Sequence, residues 1–255
     1  MKNLYETHLH TVEASACGRV SGSDYIDFMK NKGFQGMIVT DHFFNGNSCV
    51  PRDLSWDKRV RQYMSGYQKA LEAAEGKDFD VLFGVEYCFE GDEYLIYGVD
   101  GRWLLQNDDI LGCSREEVYR RVHEEGGIMV QAHPYRDRYY LSEIILAGEI
   151  TDAVEIYNAA NPDNENALGY QYAKELDVPV TAGSDLHFFH ENALGGMLLP
   201  HRISDIGEYV SMVMNGEGIP VKVKDGEVTP VRELPELIEP VEGPTLPVRI
   251  YHGQD

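Results

Sequence analysis

The sequence predicts an α/β protein built on a mostly parallel sheet with crossover helices, and three observations carry that expectation. Apolar β-type runs at 37–40, 81–85, 128–132, 153–157 and 178–182, with a shorter one at Leu4 and Tyr5, are strand-sized. Helical stretches with their own start and stop signals separate them, the order that makes parallel sheets. The length, 255 residues, suits one large domain and is normal for a single α/β barrel. Alternation alone leaves open whether the sheet closes.

Taken in order, the first helix is expected over 24–32, with Tyr25, Ile26, Phe28 and Met29 behind a Ser23 N-cap and Gly33 as its stop. A second spans 56–75. Ser114-Arg115-Glu116-Glu117 is a capping box that opens a helix through Val118 and Val122 to Gly126, and 165–176 reads as another. After about Gly216 the texture changes: 219–223 and 228–231 flank Asp225-Gly226 as a hairpin, and Pro235, Pro240, Pro244 and Pro247 punctuate an acidic tail. The expected division is a body over 1–215 and a peripheral hairpin with an acidic, Pro-rich extension over 216–255. No dinucleotide fingerprint or GxxxxGK[ST] loop is present, so the nucleotide-binding open sheets lose their usual support.

Composition narrows the function classes. Hydrophobic residues are 43% and charged residues 25%, enough for a buried core and against wholesale disorder; no apolar run approaches the roughly 20 residues that span a bilayer. With 22 Lys and Arg against 43 Asp and Glu, the net charge of -21 argues against a basic face for duplex nucleic acid or anionic membrane. Cys17, Cys49, Cys88 and Cys113 form no CxxC pair, which excludes a zinc ribbon or thioredoxin-type motif and fits reduced thiols. Residues 1–6 lack an apolar signal core, so a cytoplasmic protein without a cleaved leader is expected; the sequence leaves its oligomeric state undetermined.

Chemistry begins at His8-Leu9-His10. Residues two apart on a strand share a face, so both imidazoles can address one site, although HxH alone is equally two polar residues at a strand end. The same residue types close four further apolar runs: Asp41-His42, Glu86, His133 and Asp185-Leu186-His187. In a parallel barrel the C-terminal strand ends meet at one mouth. Imidazoles and carboxylates gathered there suit Zn²⁺, Mn²⁺ or iron, and a set without cysteine favours a hydrolytic over a structural thiolate site.

HLH, GMIVTDH, GVE, QAHPYR and AGSDLH, in that order over roughly residues 4–200, resemble the polymerase and histidinol phosphatase (PHP) superfamily of metal-dependent phosphoesterases. The resemblance implies a distorted (β/α)7 TIM-like barrel that hydrolyses phosphate esters with two or three divalent metal ions, Zn, Mn or Fe. It places His8, His10, Glu86 and Asp185 on the first metal, with Glu86 bridging to the second, His133 on the second, and His42 with His187 on the third. Asp41 then lies behind a ligand and orients an imidazole. Two positions depart from the pattern. The strand after Glu86, residues 93–98, lacks the histidine that commonly starts it and offers Glu93; the segment after HxH offers Glu13, Ser15 and Cys17 where a histidine or aspartate usually serves the third metal, and Glu13 is the carboxylate candidate.

Arg136 and Arg19, with Arg138, are candidates to grip a phosphate by paired donors or to form surface salt bridges. Tyr135, Tyr139 and Tyr140 line the mouth or pack beneath it, and His123, His190, His201 and His252 have no metal-type spacing. The function expected is hydrolysis of a small phosphomonoester or nucleotide by metal-activated water, with Glu86, Asp185 and His187 at its catalytic centre and no residue assigned as general acid. Two alternatives stand beside it. One is a metal-dependent amidohydrolase, for which no bridging lysine is evident; the other is a degenerate PHP module that binds metal or ligand without turnover.

Overall fold

The computed structural model describes residues 3–190 and 192–253; the first two residues of the N-terminal stretch read for a signal lie outside the described residues. Along the chain run β1 (Asn3–Glu6), α1 (Tyr25–Asn31), β2 (Gly36–Val39), α2 (Trp56–Tyr63), α3 (Ser65–Ala74), β3 (Asp80–Cys88), β4 (Glu93–Tyr97), α4 (Gly101–Gln106) and α5 (Arg115–Glu124). They are followed by β5 (Ile128–Gln131), β6 (Ile144–Leu146), β7 (Ala153–Asn158), α6 (Asp163–Leu176), β8 (Val180–Gly183), β9 (Leu194–Leu199), α7 (Ile206–Met214), β10 (Ile219–Lys224), β11 (Glu227–Pro230) and β12 (Val248–Ile250). All six expected runs form strands.

The sheet is mixed and has ten strands in the order β11-β10-β9-β1-β2-β3-β4-β5-β7-β8, which corrects the expected (β/α)7 count. Pairs β1–β2, β2–β3, β5–β7 and β7–β8 are parallel. β4 is antiparallel to both neighbours, because the short turn after β3 is far too short for a crossover. On the other flank β9, β10 and β11 add as antiparallel strands. The sheet curls strongly: Leu9, past β1, bridges Leu186, past β8, through His10 N to Leu186 O at 2.9 Å and Leu186 N to His8 O at 3.2 Å. That curl gathers the C-terminal ends of β1, β2, β3, β5 and β8.

Local signals are met with three exceptions. Ser23 is no N-cap; it sits in a short 3-10 turn, Gly22–Asp24, and α1 starts behind Asp24. Gly33 stops that helix with φ +89°. The helix expected over 56–75 breaks at Met64, beside Gly66, where a Cβ would lie 2.1 Å from the Thr11 hydroxyl and so prevent α3 from pressing against the loop after His10. The capping box is half formed: Ser114 accepts Glu117 N at 3.3 Å, while the Glu117 carboxylate turns to Arg120 and Arg121. Asp225 (φ 52°) and Gly226 (φ 80°) make the two-residue left-handed turn of the hairpin, whose β10 pairs with β9 and so extends the main sheet. In the tail, β12 pairs with β6 as a separate two-stranded sheet.

Leu4, Met37 and Val39 bury against Tyr25, Ile26 and Met29 of α1 and Ala70 and Ala74 of α3, while Tyr5, Leu95, Tyr97 and Val130 pack with Tyr209 and Val213 of α7. These packed layers hold the strand ends rigidly. Among the described residues no helix is long and apolar enough to cross a membrane, and all four cysteines are unpaired with one another.

Candidate metal centre

HLH lies just past β1 in extended backbone, and the period of two holds: Leu9 packs into the core while His8 and His10 turn to the opposite side. His8 Nε2 stands 3.1 Å from Glu86 Oε1 and 3.6 Å from Asp185 Oδ1; His10 Nε2 stands 3.1 Å from Asp185 Oδ1 and 3.4 Å from Glu86 Oε2. His133 Nε2 is 3.1 Å from Glu86 Oε1, and His42 Nδ1 is 2.5 Å from Glu86 Oε2. Residues up to 125 positions apart (133 minus 8) thus surround the Glu86 carboxylate.

The donor set fits a metal. His8 Nε2, His10 Nε2, His42 Nδ1, Glu86 Oε2 and Asp185 Oδ1 are buried and make no hydrogen bond, an arrangement costly unless something positive lies between them. The 3.6 and 3.1 Å separations of His8 Nε2 and His10 Nε2 from Asp185 Oδ1 lie near the edge of about 3.4 Å between ligand atoms of a tetrahedral ion bound at about 2.1 Å. Four overlapping groups can each hold an ion: His8, His10 and Asp185; His8, Glu86 and His133; His42, Glu86 and Glu93; His10, His42 and His187.

Neighbouring residues fix which nitrogen faces the site. His8 Nδ1 donates to Glu155 Oε1 at 2.9 Å, and His10 Nδ1 donates to Ser15 Oγ at 3.1 Å, because that hydroxyl's proton goes to Asp41 Oδ1 at 2.6 Å. Both Nε2 lone pairs are therefore left for an ion. Asp41 acts on His10 through Ser15 and also accepts from Thr11 N and Oγ1; burial pushes its carboxyl up to about 6 against those hydrogen bonds. Glu155 Oε2 further accepts from His133 N, 3.0 Å, and Asn158 Nδ2, 3.0 Å. Gly183 makes the approach of β8 possible: a Cβ there would meet His8 Cβ at 2.5 Å and Glu155 Oε1 at 2.9 Å. His133 (φ 30°) and Asp185 (φ 55°) hold left-handed backbone, strain stored where these side chains are aimed.

Burial would raise Glu86, but the charges of His42, His8 and His10 and a hydrogen bond from His133 outweigh it and hold the carboxyl well below its usual range. Asp185 likewise is raised by burial and more strongly lowered by Arg136 and His8. Glu93 moves the other way, pushed up by burial and by the charge of Glu86. It reaches His133 Nε2 at 3.6 Å and His42 Nδ1 at 3.7 Å, so its carboxylate occupies the place between those two rings.

Two predicted residues lie elsewhere. Glu13 turns away to Ser21 Oγ (2.5 Å), Gly22 N (3.2 Å) and Lys69 Nζ (2.9 Å), partners that satisfy its carboxylate outside the metal groups. Arg19 is exposed and donates to the carbonyls of Ala16 and Gly18. Arg136 does reach the centre, but its guanidinium is spent on Asp185, on Asn158 Oδ1 (3.3 Å) and on Asn161 Oδ1 (3.1 Å). His187 lines the cavity with Nδ1 donating to the Asp185 carbonyl at 2.8 Å. Sequence reasoning missed Glu155 and Asn158, and also Glu6, whose Oε1 holds His8 N and Ser184 N and whose carboxyl burial pushes up to about 7. A charged residue inside an otherwise apolar strand run was the available signal for Glu6 and Glu155. Glu155→Gln is expected to leave the fold intact and to lower metal affinity about 10- to 100-fold, the usual scale for a partner that orients a ligand; competition with a chromogenic chelator checks it.

Neither a protein-family profile nor a curated protein sequence matches the chain. Its structure is similar to a two-domain protein from Bacteroides vulgatus containing a predicted PHP-like metal-dependent phosphoesterase, with TM-score 0.61, 12% identity, and 94% of this chain and 70% of that chain covered. It is similar to a protein from Bifidobacterium adolescentis assigned as a metal-dependent phosphoesterase, with TM-score 0.54, 18% identity and coverage of 83% and 96%. An amidohydrolase from Chromobacterium violaceum, with bound sulfate and no metal, aligns with TM-score 0.50, 14% identity and coverage of 72% and 87%. The chain therefore shares its fold with these proteins.

Proposed function

We propose that this protein hydrolyses a small phosphomonoester or nucleotide with the help of two or three divalent ions, Zn, Mn or Fe. The observation that carries the reading is the set of buried, unpartnered ligand atoms of His8, His10, His42, Glu86 and Asp185 below one cavity. When bound, such ions acidify water and balance charge developing on phosphoryl oxygens. His8, His10, Glu86 and Asp185 form the fully enclosed part of the ligand set, while His42, Glu93, His133 and His187 reach the cavity wall where substrate enters. The curl that joins Leu9 to Leu186 supports a TIM-like barrel with this centre at its mouth. All these ligands lie within 1–215, so that segment carries the chemistry and 216–255 extends it.

The cavity, about 750 Å³, is lined by Arg136, its one arginine or lysine among the described residues, by Tyr139 and Tyr140, and by Glu90, Asp92 and Glu143. Arg136, held by Asp185 and two asparagines, keeps a positive edge beside the place where a phosphoryl group would sit. The net charge of -21 opposes a long polyanion, which favours a small substrate over duplex nucleic acid. Unpaired thiols suit a cytoplasmic setting. Protein stripped of metal and reloaded with Mn²⁺, Zn²⁺ or Fe²⁺ should cleave a generic aryl phosphate or a member of a phosphomonoester and nucleotide panel, and chelation should stop turnover. Activity in the stripped protein contradicts the reading. The likeness to an amidohydrolase makes an amide panel the necessary second arm: turnover of amides alone would move the assignment there, and tight metal binding without either turnover would make the protein a binding module.

A further inference from the structure

The turn over 133–136 has two sides. Arg136 N closes it onto His133 O at 2.9 Å; His133, Pro134 and Arg136 line the metal cavity, whereas Tyr135 lines a separate cleft of about 610 Å³. The small two-stranded sheet divides in the same way. Ile144 and Ile145 of β6 line the metal cavity and Arg249 of β12 reaches Glu90 and Glu143 on its wall, while Leu146, Val248 and Ile250 line the cleft. A hydrogen-bonded chain crosses between the two: the Tyr172 hydroxyl, in the cleft, donates to Gln131 Oε1 at 3.1 Å, and Gln131 Nε2, at the metal cavity, donates to Ile145 O at 2.7 Å.

The chemistry of the cleft is one-sided. Val248 and Ile250 leave 39% and 48% of their surface exposed beside Leu146, and the rings of Tyr135 and Tyr172 stand 6.3 Å apart, edge to face. No lysine or arginine lines it, yet two exposed carboxylates do. That of Glu175 has no ion pair or hydrogen bond among the described residues, and that of Glu149 has only His252 Nδ1, at 3.8 Å. Glu175 also stands in the last turn of the 14-residue α6, whose C-terminal carbonyls add negative potential; Lys174 of that turn does not line the cleft. Apolar walls, aromatic rings and uncompensated negative charge together suit a cation with an apolar body, and the volume suits a small molecule.

We propose that this cleft binds a small organic ammonium, its apolar body against Leu146, Val248 and Ile250 and its charged nitrogen held by Glu149 and Glu175. The site is separate from the metal centre and needs no metal. Because Tyr135 shares its turn with His133 and Arg136, an occupant of the cleft is felt at the metal cavity, which makes the cleft an effector site.

Full-length protein without added metal, titrated with phenethylamine and with phenethyl alcohol as its neutral counterpart, tests the proposal by calorimetry and by backbone amide NMR. The amine should bind about tenfold more tightly than the alcohol, and Glu149→Gln with Glu175→Gln should remove that advantage, as the loss of two partly exposed ion pairs would, while leaving the alcohol unaffected. Ile250→Trp, which fills the cleft from an exposed position, should weaken both probes. The amide signals of Tyr135 and Arg136 should shift as the amine binds. Equal affinities for amine and alcohol would overturn the ammonium assignment, amine binding unchanged in Ile250→Trp would place the probe elsewhere and overturn the site, and binding without a shift at Tyr135 and Arg136 would overturn the effector role. A dimer in gel filtration that Ile250→Asp dissociates would give the cleft to a second copy of the chain and overturn the proposal as well. None of these readouts involves a metal or turnover, so failure of the hydrolase reading would leave them standing.

Discussion

Replacing Glu86 by Gln is expected to lower turnover by roughly 10³-fold or more, the scale seen when a principal electrostatic group is removed from an enclosed site, and to strip metal from the protein. Each oxygen of this carboxylate faces two imidazoles: Oε1 lies 3.1 Å from both His8 and His133, and Oε2 lies 2.5 Å from His42 and 3.4 Å from His10. Glutamine keeps the shape, so β3 and the core should persist. It removes the negative charge that two ions would share, and it aims amide hydrogens at nitrogens whose lone pairs are needed for coordination. Metal analysis after gel filtration, together with phosphatase assay, checks both halves. Wild-type metal content in Glu86→Gln would show that the carboxylate is a packing partner of the histidines and no ligand.

The parts of this centre that were legible in the sequence are those at strand ends. His8, His10, His42, Glu86, His133, Asp185 and His187 each terminate an apolar run, and a sheet that curls must bring such ends together. Glu93 was legible through the resemblance alone, as the residue that starts the strand after Glu86, and in the structure it opens β4 opposite Cys88 on β3. Loops obeyed no such rule. Glu13 and Cys17 sit on one turn, and only the hydrogen bonds of that turn decide that Glu13 serves Lys69 and Ser21 while Cys17 faces the cavity. The strand count was missed at β9, whose Leu-Gly-Gly-Met run lacks β-branched residues; its glycines are needed because a Cβ at Gly195 would meet Gly183 O at 2.1 Å. Glu155 was hidden within a strand run read as apolar, although its two oxygens organise His8, His133 and Asn158.

The second large effect is expected at Asp185, where stability and metal binding separate. Its Oδ2 accepts from Arg136, whose side chain is only 12% exposed, while Oδ1 lies 3.1 Å from His10 Nε2 and 3.5 Å from His187 Nδ1. Asp185→Asn takes from the buried guanidinium its hydrogen-bonded counter-charge; a broken buried pair costs about 3 kcal/mol, toward the lower end of its range because the Asn158 and Asn161 oxygens still accept from Arg136 and the charges of Glu93 and Glu86 remain nearby. The loss should appear in urea unfolding of the metal-free protein at neutral pH. Because the folded-state pKa of Asp185 is depressed, its stabilisation is fully present above the ordinary aspartate range and is lost as pH falls through the depressed value, so the two proteins should converge in acid. Arg136→Met in the Asp185→Asn background should recover most of the stability, since it removes the stranded charge and keeps the volume. It should not recover metal, because the oxygen facing His8 and His10 remains an uncharged amide. Equal unfolding midpoints for wild type and Asp185→Asn would show that Arg136 is neutralised elsewhere, and metal restored by Arg136→Met would show that Asp185 serves the arginine alone.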